Sequence, residues 1–381
     1  MQNKEYADNY GISQSQIKKF KFVSPLAWKR LYLDKQTDDV KDNPSFIFGS
    51  LVDILCFTPD RLDDLFYVGE AGELPSEAVT WIINDYYQKI VRNNQFMIEL
   101  SAELPEDGLL REFNLNDRDH LIDSANNYKF KDKDGNEKTG WNTGWKEQTR
   151  IDSLIKNGTN YFEALKAANG KKVISQRMNM EAIELRDILQ RHPRTTNYFV
   201  PDENNTLLFQ LEIFTTYKVD DVEVPIKGAL DIVRFNHKDK TVQIIDFKTS
   251  YSAFDFIQSI KKYGYAEQLS FYTFLLKQWL TEYCNGEYCT YTMLPPINIV
   301  IDNRDKIPYK YSYDWQDIEI VRYGNKAYLK DLYQTENHNQ KIKTGWEEIL
   351  CEIAWHMKTG MWNEPRELYE NDTIRVNLIN S

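Results

Sequence analysis

Two short runs rich in Val, Ile and Phe, Pro225-Ile-Lys-Gly-Ala-Leu-Asp-Ile-Val-Arg234 and Thr241-Val-Gln-Ile-Ile-Asp-Phe-Lys-Thr-Ser250, flank the polar stretch Asn236-His-Lys-Asp-Lys240. Their length and residue types favour two antiparallel strands joined by a turn over a helix. Side chains alternate along a strand, so Asp246 and Lys248 share one face while Phe247 turns into the core. Asp231 on the neighbouring strand brings a second carboxylate to the same place. A charge inside an apolar strand is costly unless it is paired or coordinates something. Two facing carboxylates repel each other, and a hard divalent cation such as Mg²⁺ removes that repulsion. The same residues also suit a surface hairpin in which Lys248 makes a structural ion pair.

Downstream, Tyr265-Ala-Glu-Gln-Leu-Ser-Phe-Tyr-Thr-Phe-Leu-Leu276 has helical apolar spacing, with Gln268 and Tyr272 four apart on one face. The ordered set Gly-x-x-Asp, Asp-x-Lys-Thr, Gln-x-x-x-Tyr resembles the PD-(D/E)XK nuclease superfamily in its RecB-like branch. The resemblance implies an α/β fold with a small mixed sheet flanked by helices. It implies Asp231, Asp246 and the backbone carbonyl of Phe247 as metal ligands and Lys248 as the catalytic lysine. Gln268 and Tyr272 become a supporting pair on the adjacent helix, and Gly228 the glycine that lets backbone run close. The implied cofactor is Mg²⁺ or Mn²⁺.

The N-terminal part narrows the resemblance. Pro25-Leu-Ala-Trp28, Phe48-Gly-Ser-Leu-Val-Asp53 and Thr58-Pro-Asp-Arg-Leu-Asp-Asp-Leu-Phe66 look like the start of a RecE-type phage or prophage exonuclease domain. That pattern completes its metal site with a histidine where this chain has Asp53, itself a hard oxygen ligand. Family members carry a basic, Trp-containing segment that Gly144-Trp-Lys-Glu-Gln-Thr-Arg150 resembles. Lys129, Lys131, Lys133 and Trp145 are the expected DNA contacts, since positive charge with aromatics suits phosphates and unstacked bases. The implied function is a metal-dependent exonuclease acting 5′ to 3′ on double-stranded DNA ends in phage-type recombination. By analogy its partners are DNA, further copies of the chain in a ring, and a single-strand annealing protein.

A formal net charge of −11 over 381 residues argues against a generally basic nucleic-acid binder, so positive charge has to be confined to a groove. An acidic chain also suits a catalytically weak DNA mimic or protein-interaction module, and a single-strand or structure-selective nuclease is a further alternative. Four scattered cysteines, Cys56, Cys284, Cys289 and Cys351, contain no Cys-x-x-Cys, and no iron–sulfur cluster is expected. No apolar run approaches a membrane span and Met1-Gln-Asn-Lys-Glu is polar, so a cytoplasmic protein is expected.

The expected organisation is a flexible 1–12, a single nuclease domain over 13–364 and a tail over 365–381. Within the domain, 13–200 reads as helical, 205–302 as the catalytic sheet and helix, and 303–364 as helical again. Helices are expected after Ser13 and Ser24, over Ser45–Phe57, Trp81–Val91 and Val173–Leu189, the last capped by Ser175. Apart from Trp81–Val91, Leu74 to Asn127 reads as irregular. Further strands are expected over Leu207–Tyr217, Tyr291–Ile301 and Tyr309–Tyr313. Glu212, on the strand that pairs with the central hairpin, is a reserve acid for the site.

Overall fold

The computed structural model describes residues 10–36, 44–70, 73–100, 114–283, 288, 290–324 and 344–371. The expected flexible N-terminus up to residue 9, the loop at 37–43, Cys284, Cys289, the helical pattern at 325–343 and the tail beyond 371 lie outside them. The chain divides into two compact units, one of residues Asp42–Glu184 and one of Met1–Lys41 with Leu185–Ser381.

In the unit of residues 42–184, the helix Pro44–Phe57 forms where the apolar run requires it and is followed by strand β1 (Phe66–Val68). The helix Glu77–Leu100 contains the expected Trp81–Val91 and buries Ile82, Ile83, Tyr86 and Ile90 against Leu154 and Phe162 of the helix Glu147–Ala168. Strands β2 (Lys129–Lys131) and β3 (Glu137–Thr139) make a hairpin around Asp134-Gly135, with Gly135 at a φ of +83° that favours glycine. The stretch expected to be irregular contains a helix, Arg118–Asn127, whose Asp117 cap accepts from the His120 amide at 3.2 Å. Strand β4 (Lys172–Ile174) pairs with β1 in parallel, Tyr67 opposite Val173. This corrects the expected start of the next helix. Val173 and Ile174 are β-branched and belong to a strand, whereas the helix begins at Gln176, with Ser175 Oγ accepting from the Met178 amide at 3.1 Å.

The other unit carries the main sheet: β5 (Asn205–Val219), β6 (Val222–Asn236), β7 (Thr241–Ser250), β8 (Thr292–Met293), β9 (Ile297–Asp302) and β10 (Pro308–Ser312). The order is β10-β9-β7-β6-β5, with β8 also on β7. The β5–β6–β7 meander is antiparallel, and β9 joins β7 in parallel after a helical crossover. This is the mixed sheet the motifs implied. The run Tyr291–Ile301 is two strands and not one, because Pro295 and Pro296 lack the amide hydrogens a ladder needs.

The helix Tyr265–Tyr283 lies across the sheet. Leu269, Phe271, Leu275 and Leu276 share a core with Val224, Ile226, Leu230, Val242 and Ile244 of the sheet and with Trp346, Leu350 and Ile353 of the helix Trp346–Thr359. The N-terminal helices close this core at one end. Ser13 and Ser24 cap Gln14–Phe20 and Pro25–Tyr32 as expected, and Trp28 stacks on Trp362 with ring centroids 6.0 Å apart. Helix and sheet meet closely at Gly228, where a Cβ would lie 2.4 Å from Leu275 Cδ1 and 3.1 Å from Tyr272 Cε1. Gly228→Ala is therefore expected to lower unfolding stability by about 1–3 kcal/mol, the usual cost of overpacking. Chemical denaturation measures it, and a variant as stable as wild type would refute this close approach.

Candidate active site

The site is built on a change of phase in the sheet. On β6, Val224, Ile226 and Leu230 face the main core, and then Val233 and Phe235 do. On β5 the core-facing set runs Val219, Tyr217, Ile213, Leu211 and then Leu208. Both strands skip a step at the same level while their pairing holds, Leu211 opposite Leu230 and Phe209 opposite Ile232. Gln210 takes up the change with a left-handed φ of 49°, and its Nε2 lies 3.4 Å from Asp231 Oδ1. Such a backbone in a non-glycine residue is uncommon and gathers at functional sites. Glu212 stands beyond the reversal, where alternation turns it to the face opposite Leu211 and Ile213.

The ladder between β6 and β7 ends here too, at Ile232 opposite Ile245. One step further, the Phe247 amide donates to Asp231 Oδ2 at 2.9 Å, so a side-chain carboxylate takes the place of a strand carbonyl. Lys248 Nζ stands 2.7 Å from Asp246 Oδ2, 3.7 Å from Asp231 Oδ2 and 3.0 Å from the Phe247 carbonyl oxygen. The alternation read from the sequence holds: Phe247 is buried on the other face, edge-on to Phe199.

Asp246 is 1% exposed, and its Oδ2 also accepts from Asn298 Nδ2 at 2.7 Å. Tyr313 donates its hydroxyl to Asn298 Oδ1, which fixes the amide's orientation. Asp246 Oδ1 is buried without a hydrogen-bond partner. Burial pushes the Asp246 carboxyl up to about 7, with the Asp231 charge adding to the rise and the Lys248 ammonium opposing it. On the overlying helix, Gln268 Nε2 donates to the Tyr272 hydroxyl at 2.9 Å. Burial, then the two carboxylates, raise the Tyr272 phenol well above its ordinary value, so it remains neutral.

A family profile described as the PD-(D/E)XK nuclease superfamily matches residues 153–352, more than half of the chain. The chain belongs to the PD-(D/E)XK nuclease superfamily. The match takes in every PD-(D/E)XK motif residue named above, from Gly228 to Tyr272. Among solved structures, the crystal structure of SSO0001 is similar at 16% identity, covering 50% of this chain and 71% of that one. Its TM-score is 0.23. No curated protein matches.

Members of this superfamily typically use divalent metals, and the residues present fit such an ion. The Asp231 and Asp246 carboxylates and the Phe247 carbonyl converge on one cationic atom, Lys248 Nζ, and supply only hard oxygen donors. The unpartnered Oδ1 of Asp246 adds acceptor capacity that the fold leaves unused. Among the described residues no group of three or more His, Cys, Asp or Glu side chains gathers to hold a metal. Asp53 lies half-buried on the helix Pro44–Phe57 of the unit of residues 42–184. Lys129, Lys131, Lys133 and Trp145 belong to that unit as well, all exposed. These five residues fall outside the matched segment.

Three residues near the carboxylates escaped sequence reading. Asn298 is a lone polar group in the buried run Ile297-Asn-Ile-Val-Ile301, and only its pairing opposite Asp246 gives it meaning. Gln210 and Tyr313 carried no signal. Asn298→Ala strips a buried carboxylate of a donor and leaves the Tyr313 hydroxyl without its acceptor. It is expected to cost about 1–3 kcal/mol of stability and to weaken Mg²⁺ binding, measured by denaturation and by calorimetry. No change in either would make Asn298 a bystander.

Proposed function

We propose that the protein is a Mg²⁺- or Mn²⁺-dependent DNA exonuclease that degrades double-stranded ends 5′ to 3′ in phage-type recombination. One observation carries the nuclease part: two carboxylates and a backbone carbonyl converge on Lys248 beneath the Gln268–Tyr272 pair, with a buried carboxylate oxygen left without a partner. Asp231, Asp246 and the Phe247 carbonyl would hold the cation. When bound, it supplies positive charge that lowers the pKa of water and offsets the negative charge of a phosphodiester.

Lys248 brings a cation whose Nζ lies over the Tyr265 ring, 5.5 Å from its centroid, so the ammonium is held where it can meet a phosphate oxygen or the attacking water. Asn298 holds Asp246 in one rotamer. Asp231 is tied to the Phe247 amide, which fixes the distance between the carboxylates. Polarity, preference for ends and the recombination role rest on the resemblance of Pro25–Trp28, Phe48–Asp53 and Thr58–Phe66 to RecE-type domains.

Asp53 as a further ligand, Lys129, Lys131, Lys133 and Trp145 as DNA contacts, a ring of subunits and an annealing-protein partner belong to the same proposal. The setting is the cytoplasm. Among the described residues no helix is long and apolar enough to cross a membrane.

The test is purified protein on end-labelled linear DNA and on circular DNA, with and without Mg²⁺. Mononucleotide release from linear DNA only, dependent on Mg²⁺, is expected. Cutting of the circle would replace the exonuclease reading with an endonuclease, and no cleavage of either would overturn both. Asp53→Asn is expected to lower Mg²⁺ affinity in a calorimetric titration, and an affinity equal to wild type would remove Asp53 from the site.

A further inference from the structure

Three residues beyond Lys248 the chain leaves β7 through a turn that is pinned from several sides. Asp302 Oδ2 accepts from the Ala253 amide at 2.8 Å, while its Oδ1 accepts from the amides of Arg304 and Asp305, both at 2.9 Å. The Asn303 amide donates to the Ser250 carbonyl at 2.8 Å, and the Tyr311 hydroxyl donates to the Phe254 carbonyl at 3.0 Å. The β7 turn and the β9–β10 turn are thereby tied into one rigid piece.

On this piece two aromatic rings are held out in solvent. Tyr251 is 71% exposed and Phe254 is 78% exposed, the highest value for a large hydrophobic side chain among the described residues. Their backbones are ordered while their rings contribute little to the core, so folding does not account for them. Arg304 donates from Nε to the Tyr251 carbonyl at 2.9 Å and lies over the Tyr251 ring, 4.3 Å from its centroid. That arrangement spends one N–H on the turn and leaves the Nη groups for an anion. The helix Phe256–Tyr263 that follows ends in exposed Lys261 and Lys262. Through this segment and the Arg304 turn, Lys261, Lys262, Arg304 and Lys306 stand against Asp255, Asp302 and Asp305, a reversal of sign in a chain of net charge −11.

We infer that the Tyr251–Phe254 turn with Arg304 is a stacking platform for unpaired bases of a single-stranded DNA segment running away from the site. The inference rests on the nuclease reading for its choice of occupant. Rigid aromatic faces beside cations are what single-strand binding requires, because each unpaired base offers a face and each phosphate a charge. Paired bases stack on one another and offer no such face, so duplex gains only the charge. Position agrees: three residues of extended chain put Tyr251 roughly 10 Å from Lys248, so a strand with a phosphate at Lys248 has its neighbouring nucleotides over this turn.

The experiment is fluorescence anisotropy with a dye-labelled oligothymidylate and with a blunt duplex, both in EDTA on the Lys248→Ala background so that binding is read without cleavage. Tyr251→Ala with Phe254→Ala is expected to weaken single-strand binding about 10- to 100-fold and to change duplex binding less than about threefold. Tyr251→Trp with Phe254→Trp restores the affinity, whereas Leu at both positions does not. Arg304→Gln lowers the salt dependence of single-strand binding by up to about 0.7 in log–log slope, one phosphate contact.

Because both rings are exposed, the melting temperature is expected to stay at the parent value, which separates lost stacking from lost fold. Unchanged single-strand affinity in the double Ala variant would overturn the platform. So would equal losses on both probes, or full recovery by Leu, which points to an apolar face for a protein partner. A wild-type protein that binds oligothymidylate through these rings but cleaves no DNA would refute the nuclease reading and leave the platform standing.

Discussion

Lys248→Ala is expected to slow cleavage by about 10²–10³, the usual cost of removing one preorganised charge-stabilising group, without abolishing Mg²⁺ binding. In the metal-free fold the ammonium sits 2.7 Å from Asp246 Oδ2 and partly neutralises a carboxylate pair. Its removal leaves Asp246 buried beside Asp231 with no cation, and Asp246 responds by holding its proton more tightly. At pH 8 a divalent ion relieves that repulsion, so Mg²⁺ should raise the melting temperature of the variant by at least as much as it does for wild type. Single-turnover cleavage with saturating Mg²⁺ and thermal shift against Mg²⁺ measure the two effects. Cleavage at the wild-type rate would show that Lys248 is a structural ion-pair partner and no more.

The second large effect is on pH. Asp246 is pushed up to about 7 by burial, above the ordinary carboxylate value of about 3.9. Between those values the native metal-free protein holds a proton that the unfolded chain has released. This group's contribution to stability is therefore greatest at low pH and falls as pH rises through that window. Cation binding has the opposite sign: the ion competes with the proton, so apparent Mg²⁺ affinity should drop about tenfold per pH unit below about 7 and level off above it. Calorimetry at pH 6 in two buffers of different ionisation enthalpy should count close to one proton released per ion bound, and at pH 8 close to none. An affinity that is flat from pH 5.5 to 8 would mean that Asp246 is ionised throughout or is not a ligand.

Sequence made the central hairpin legible because alternation is a local property. Asp246 and Lys248, two apart, had to share a face, and Phe247 between them had to turn inward. Gly228 was legible because the helix carrying Gln268 and Tyr272 was. Local pattern misled where two periodicities overlap: Val173 and Ile174 fit the helical spacing that follows them, and only the distant Tyr67 and Val68 make them a strand. Asn298 and Gln210 acquire roles through partners 52 and 21 positions away, so no window of sequence contains the evidence for either.

The shared change of phase in β5 and β6 also restricts how such a chain can vary in length. Each strand switches its core-facing set by a step of three positions instead of two, Leu208 to Leu211 on one and Leu230 to Val233 on the other, and the two intervals stay in register. A one-residue deletion in either interval alone throws the rest of that strand onto the wrong face, because the side-chain period is two. Paired deletions would preserve the apolar pattern but remove Gln210 or Asp231 from its place. The two intervals therefore behave as a single heritable unit, intolerant of insertion or deletion within them.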